Sequence, residues 1–134
     1  MIIDASVASH WFADTEFSAA ANPFRLSADL IAPAFLLIET ANVLYKRSRA
    51  GDIAPEKCAE SIGILRESMA ELVSDGELLP RALELALKHQ HPVYDCMYLV
   101  LALDRRETLV TADRRLAAAA KTLAIKAELI KAPA

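Results

Sequence analysis

Four acidic side chains, Asp4, Glu39, Asp95 and Asp113, sit at positions where their spacing invites a chemical reading. Taken singly, three of them have an ordinary explanation. Asp4, Asp95 and Asp113 precede or open helical patterns, where a short carboxylate caps free backbone N–H groups. Glu39 resists that explanation. It lies among Phe35, Leu36, Leu37, Ile38, Ala41 and Val43, in a stretch apolar nearly all round, where an unpaired carboxylate is costly. Asn42, three residues on, shares its helix face as a hydrogen-bonding partner would. Capping also leaves the group unexplained, because carboxylates gathered at one place repel one another unless cations are present. No Lys or Arg stands immediately beside Asp4, Glu39 or Asp95 in the sequence. Hard divalent cations are the natural partners, and an oxygen-only ligand set suits Mg²⁺ or Mn²⁺ better than Zn²⁺. Hydroxyls at Ser6 and Thr111 lie close to two of the acids, placed to orient them or to hold a coordinated water. Such a site activates water and stabilises charge on a phosphate, which is the chemistry of a metal-dependent phosphodiesterase.

The elements that must position these acids follow from the apolar pattern. Met1-Ile2-Ile3 reads as a strand ending at Asp4, with a short helix from Val7 to Asp14 and an irregular or helical stretch through Asn22-Pro23 to Ser27. Leu30-Ile31-Ala32 is a second strand, closed by Pro33. A long helix from Phe35 to Arg49 ends at Gly51, with Lys46, Arg47 and Arg49 in its last turns, where the helix dipole favours cations. Pro55 opens another helix to about Met69. Leu72-Val73 is a third strand, followed by a turn at Ser74-Asp75-Gly76 and a helix from Leu78 to His89. An apolar helix runs from Tyr94 to Arg105, Leu109 to Thr111 is a strand, Arg114 to Lys121 a helix, and Ala127 to Ile130 a last strand. Strands alternating with helices predict a three-layer α/β/α domain over residues 1–134 with a central parallel sheet. The two helices between Pro33 and Gly76 exceed one simple crossover and predict a helical hairpin projecting from the body. In such a sheet the carboxyl ends of the strands share one edge, and ligands bind there. The four acids converge at that edge.

Composition fits a compact folded chain: 134 residues, 54% hydrophobic, 25% charged and only three glycines. No apolar run is long enough to span a bilayer, and the first residues carry no basic leader, so a cytoplasmic protein without a membrane partner is expected. Cys58 and Cys96 fall in helical patterns and are expected to be free thiols of a reducing compartment. The net charge of −3 argues against a polyanionic partner, but setting the four acids aside leaves 14 acidic against 15 basic side chains. His89 and His91 are read as helix-end residues and not a metal pair, and His10 and Trp11 as packing residues. Lys46, Arg47, Arg49, Arg114 and Arg115 are candidates for phosphate contact.

The runs Ile2–Ser6 (IIDAS), Glu39–Leu44 (ETANVL), Tyr94–Leu99 (YDCMYL) and Thr111–Leu116 (TADRRL) carry a resemblance over nearly the whole chain. In order and in kind they resemble the PIN-domain ribonuclease family, and within it the small VapC-type toxins of VapBC toxin–antitoxin systems. The resemblance implies a PIN-like parallel sheet with an acidic pocket for Mg²⁺ or Mn²⁺, in which Asp4, Glu39, Asp95 and Asp113 occupy the metal-binding and catalytic acid positions. Asn42 and Thr111 fall where the family has supporting polar residues. It further implies endoribonuclease action on structured RNA such as tRNA or ribosomal RNA, inhibition of translation, a cognate antitoxin that blocks the pocket, and a homodimer. One departure stands out. Some relatives carry a further acid one turn past the last aspartate, where this chain has Leu116 and Ala117, which weighs against tight binding of a second metal without substrate.

Two other classes compete. One is a catalytically weak PIN-like module that only binds RNA or protein. The other is a receiver-type signalling domain, also a small α/β unit with clustered acids and Mg²⁺. A receiver wants paired acids after its first strand and a lysine after its last, whereas Asp4 stands alone and Lys131 lies in a tail.

Overall fold

The β-branched and apolar runs Ile2–Ile3 (β1), Ile31–Pro33 (β2), Glu71–Val73 (β3), Leu109–Thr111 (β4) and Ala127–Leu129 (β5) pair into one parallel sheet in the computed structural model, which describes residues 1–134. The strand order is β3-β2-β1-β4-β5. Ile2 registers with Ile31 on one side and with Leu109 on the other, so β1 is central and covered on both edges. Its two isoleucines are fully buried. Seven helices connect and cover the strands: α1 (Ala5–Ala8), α2 (Ser18–Arg25), α3 (Leu36–Arg49), α4 (Pro55–Ser68), α5 (Asp75–His89), α6 (Val93–Arg105) and α7 (Arg114–Thr122). The expected three-layer α/β/α architecture is present. The order also separates the chain from the receiver type, whose sheet runs 2-1-3-4-5 with the third strand inside; here β3 is an edge.

The core explains why α6 is so apolar. All residues from Cys96 to Ala102 are buried, because α6 packs on β1, β2 and β4 and against α5. Its last turn carries Arg105, whose guanidinium makes two hydrogen bonds to Glu71 at the start of β3, at 2.9 and 2.5 Å. The helix therefore ends at the amino edge of the sheet, and its first turn lies toward the carboxyl edge. α3 and α4 pack on each other as the expected hairpin. Gly51 makes the bend possible: its φ of +85° is the left-handed conformation open to glycine, and it closes α3 with Gly51 N–H donating to Ser48 O at 3.0 Å and Asp52 N–H to Arg47 O at 2.9 Å.

Two sequence-based boundaries and one helix face are corrected. Ser74-Asp75-Gly76 is not a free turn. Asp75 opens α5 and its carboxylate accepts from Phe35 N–H at 3.0 Å, tying the start of α5 to the start of α3. The first helix ends at Ala8 and passes into a 3-10 turn, Ser9–Trp11, so it does not reach Asp14. Trp11 takes that turn inward, donating from Nε1 to Ala21 O at 2.8 Å. The face of α3 is less apolar than its sequence suggests, since only Leu36, Thr40 and Leu44 are buried. Cys58 and Cys96 are free thiols, as expected. No helix is long and apolar enough to cross a membrane.

Candidate active site

All four acids open into one cavity of about 290 Å³, lined also by Ser6, Asn42, Val43, Tyr98 and Leu116. Parallel topology brings them there. Asp4 follows β1, Asp113 follows β4, Glu39 lies in the first turn of the helix leaving β2, and Asp95 in the first turn of α6.

Asp4 is the buried member, 6% exposed. It stands at the start of α1 but makes no side-chain cap there. Its oxygens are instead taken by hydroxyls: Ser6 Oγ donates to Oδ1 at 2.5 Å and Thr111 Oγ1 to Oδ2 at 2.6 Å. Those hydroxyls are themselves fixed by backbone, Ser6 Oγ accepting from Ala112 N–H at 2.8 Å and Thr111 Oγ1 from Asp113 N–H at 3.0 Å. The network ties the end of β1 to the end of β4, 107 positions apart. Burial raises the Asp4 pKa to about 6, against the two hydroxyl bonds, which lower it; the Asp113 charge adds to the rise.

Glu39 receives a hydrogen bond that the sequence reading assigned elsewhere. The partner is Tyr98, whose phenol donates to Oε1 at 2.6 Å, and not Asn42, which lines the cavity without bonding Glu39. Tyr98 is 2% exposed, and burial together with the Glu39 and Asp4 charges lifts its own pKa well above the usual phenol value, so it remains a neutral donor. Burial raises the Glu39 pKa, the Tyr98 bond opposes this, and the Asp4 and Asp95 charges add to it.

Asp95 makes no cap to its helix. Burial raises its pKa, Arg115 lowers it, and the Asp113 charge raises it again. Arg115, a candidate for phosphate contact from the sequence, lies with its guanidinium 3.4 Å from Asp95 Oδ2, a pairing across two helices that sequence neighbours do not reveal. Asp113 alone among the four caps its helix, Oδ1 accepting from Arg115 N–H at 2.8 Å and Leu116 N–H at 3.3 Å. The pairwise charge effects run Asp4–Asp113, Asp4–Glu39, Glu39–Asp95 and Asp95–Asp113, a closed ring of mutual repulsion.

The donor set fits a hard cation that keeps part of its water. Every candidate ligand is an oxygen, and one oxygen each of Glu39, Asp95 and Asp113 has no hydrogen-bond donor within the chain. No three His, Cys, Asp or Glu groups close into a compact cage, however. An open pocket of carboxylates suits Mg²⁺ or Mn²⁺, which dehydrate reluctantly and take one or two carboxylates with several waters. Leu116, 2% exposed, gives the cavity an apolar wall one turn past Asp113.

The remaining histidines lie outside this cavity. His10 is buried, stacked on Phe17 with ring centroids 4.9 Å apart and bonded through Nδ1 to Thr15 Oγ1 at 2.8 Å. His89 and His91 face each other at the α5–α6 turn, centroids 6.5 Å apart, and bind nothing in common with a third ligand.

Compared with known proteins, residues 1–122 match the model of the PIN domain. The chain belongs to the PIN-domain family. Among curated proteins it is similar to Ribonuclease VapC3 of Pyrobaculum aerophilum, 38% identical over 81 residues that cover 59% of this chain and 62% of that protein. The chain thus matches somewhat under two thirds of that relative's length. Among solved structures it is similar to PAE2754 of Pyrobaculum aerophilum, with a TM-score of 0.67 at 22% identity over 87% of this chain and 83% of that one, a likeness of fold. The sheet and hairpin are therefore those of a PIN domain, with the four acids at the carboxyl edge of its sheet.

Proposed function

We propose that this PIN domain is a VapC-type endoribonuclease toxin that cuts structured RNA, such as tRNA or ribosomal RNA, with Mg²⁺ or Mn²⁺. The observation that carries this reading is the ring of four mutually repelling carboxylates around one cavity, which favours a divalent cation as counter-charge. Glu39, Asp95 and Asp113 have free oxygens to hold the ion, and Asp4, buried in the same cavity, would add its charge to the ligand set. When bound, the ion supplies Lewis-acid stabilisation of charge on a phosphodiester and makes water a better nucleophile. The chain's own residues do the positioning. Ser6 and Thr111 hold Asp4 in one rotamer, Tyr98 aims Glu39, and the α7 backbone N–H groups hold Asp113 through one oxygen and leave the other toward the cavity. Lys46 and Arg49, exposed on the helix that carries Glu39, are placed for phosphates flanking the cut.

A protein antitoxin is part of the same reading. Ile38 and Tyr45 are 72% and 56% exposed on α3, which suits an apolar partner segment beside the pocket. A basic side chain of that partner would replace the cation's charge among the acids. The test is RNA cleavage by the purified chain with Mg²⁺ or Mn²⁺, with excess EDTA, and with Asp4→Asn as control. Cleavage that stops on chelation and in the variant is expected. Cleavage undiminished in EDTA would overturn the metal assignment, and RNA bound without cleavage under any metal would make the chain a binding module.

A further inference from the structure

A second cavity adjoins the acid pocket and shares a wall with it. It has a volume of about 200 Å³, lies past the ends of β4 and β5, and is lined by Phe17, Ala112, Arg114, Ile130, Lys131 and Ala132. Consecutive residues after β4 divide the two spaces: Ala112 and Arg114 line this one, while Asp113 between them lines the acid cavity. Neighbouring Cα atoms stand about 3.8 Å apart, a separation that one nucleotide of a bound strand bridges. The walls are fixed. Ala112 N–H donates at 2.8 Å to the Ser6 hydroxyl that also holds Asp4, and Ile130 N–H donates to Thr111 O at 2.8 Å. The Phe17 ring is backed by His10, stacked on it with centroids 4.9 Å apart, and His10 is itself bonded to Thr15.

Its chemistry is the opposite of its neighbour's. No acid lines it. Arg114 and Lys131 are exposed cations, and neither forms an ion pair within the chain. The cavity therefore offers an aromatic ring, apolar walls and two unpaired positive charges, in a chain whose net charge is −3. A nucleotide carries the complement of each: a flat base that stacks and a phosphate that takes cations. The size agrees, since pockets for drug-sized ligands begin at roughly 300 Å³ and this one takes a single base. We propose that this cavity holds the nucleotide next to the scissile phosphate, its base against Phe17 and its phosphate on Arg114 and Lys131. The assignment rests on the nuclease reading given above. An acidic protein segment would satisfy the same cations, but an RNA strand has a reason to lie across Asp113. Its next phosphate is the one that the metal-loaded acids would cut.

The experiment uses an oligoribonucleotide that the purified full chain cuts in Mg²⁺ at one mapped bond, made intact and with single abasic positions on either side of that bond. Phe17→Leu keeps an apolar side chain and removes the ring, so its kcat/KM on intact RNA should fall about tenfold. On RNA lacking the one neighbouring base, that gap should shrink to about twofold, because the base that Phe17 stacks is already gone. A Phe17 that only packs would lose the same factor on both substrates. Circular dichroism on each variant checks the fold. Arg114→Gln and Lys131→Gln, both at exposed positions, should each weaken binding of a short labelled oligouridylate in fluorescence anisotropy, with EDTA present to stop cutting. Each should also lower the slope of log affinity against log salt by about 0.7. An equal loss on intact and abasic RNA at every position, or salt slopes unchanged in both cation variants, would overturn the proposal and leave the nuclease reading standing. A chain that binds the oligouridylate with these slopes but cuts no RNA keeps its nucleotide site and loses the nuclease reading.

Discussion

Tyr98 Oη lies 2.6 Å from Glu39 Oε1, a phenol from the apolar core helix α6 donating to a carboxylate of α3. The two helices enclose the acid pocket from either side, and this bond is what sets Glu39's orientation. Tyr98→Phe should therefore fold, at a cost of about 2 kcal/mol for a lost bond to a charged group. It should also raise the Glu39 pKa further, because the one hydrogen bond that opposes burial is gone. Cleavage at neutral pH should fall, with the acid limb of the pH–rate profile displaced upward. A profile unchanged from wild type would show that Tyr98 is packing only.

Asp4 gives a pH dependence of stability. Its folded pKa of about 6 lies above the unfolded value of 3.8, so the metal-free protein is stabilised by protonation of this group. That stabilisation is fully present below about pH 4 and is lost as pH rises through about 6, on the order of 3 kcal/mol in all. Asp4→Asn has no such group. Subtracting its unfolding free energy from the wild type's across pH 4 to 7 should show wild type losing ground over that window. A flat difference would contradict burial as the dominant influence on Asp4.

Arg115 sets the metal against an internal cation. Its guanidinium is 66% exposed and 3.4 Å from Asp95, a charge that a bound divalent ion would displace. Arg115→Gln should tighten Mg²⁺ binding by a few-fold in calorimetric titration, the scale of an exposed pair. Unchanged metal affinity would place Asp95 outside the ligand set.

Asp113 separates capping from chemistry. Asparagine caps nearly as well as aspartate, so Asp113→Asn should keep its melting temperature within a few degrees while cleavage is abolished. Asp113→Ala should lose both the cap, about 1 kcal/mol, and cleavage. An active Asp113→Asn variant would reduce this residue to a helix start.

Much of this arrangement was legible in the sequence because its signals are local. Strand, helix and proline–glycine punctuation placed the parallel sheet, and the parallel sheet placed four acids at one edge. The shared helix face points to Asn42 as Glu39's partner, and that rule sees only one helix at a time. Tyr98 reaches Glu39 across 59 positions, through packing that periodicity does not encode. Sequence marked Arg115 only as a candidate for phosphate contact, yet it faces Asp95, across a contact between the first turns of α6 and α7 that no local pattern encodes. Asp75 looked like a turn residue since Ser-Asp-Gly suits a turn; its tertiary bond to Phe35 N–H is what makes it a helix start. Local pattern settles elements, and the contacts between their ends settle the site.

The central claim is that the carboxylate ring binds a divalent ion and that the bound ion is needed to cut RNA. Asp95→Asn tests it most directly, because the substitution keeps shape and removes one charge from the ring. Thermal melts with and without Mg²⁺ should show the metal-free variant as stable as wild type or more so, by about 1 kcal/mol. Added Mg²⁺ should raise the wild-type melting temperature more than the variant's, since linkage requires the missing ligand. The same samples should cleave RNA only as wild type. A folded Asp95→Asn protein that gains equally from Mg²⁺ and cleaves at the wild-type rate would contradict the account.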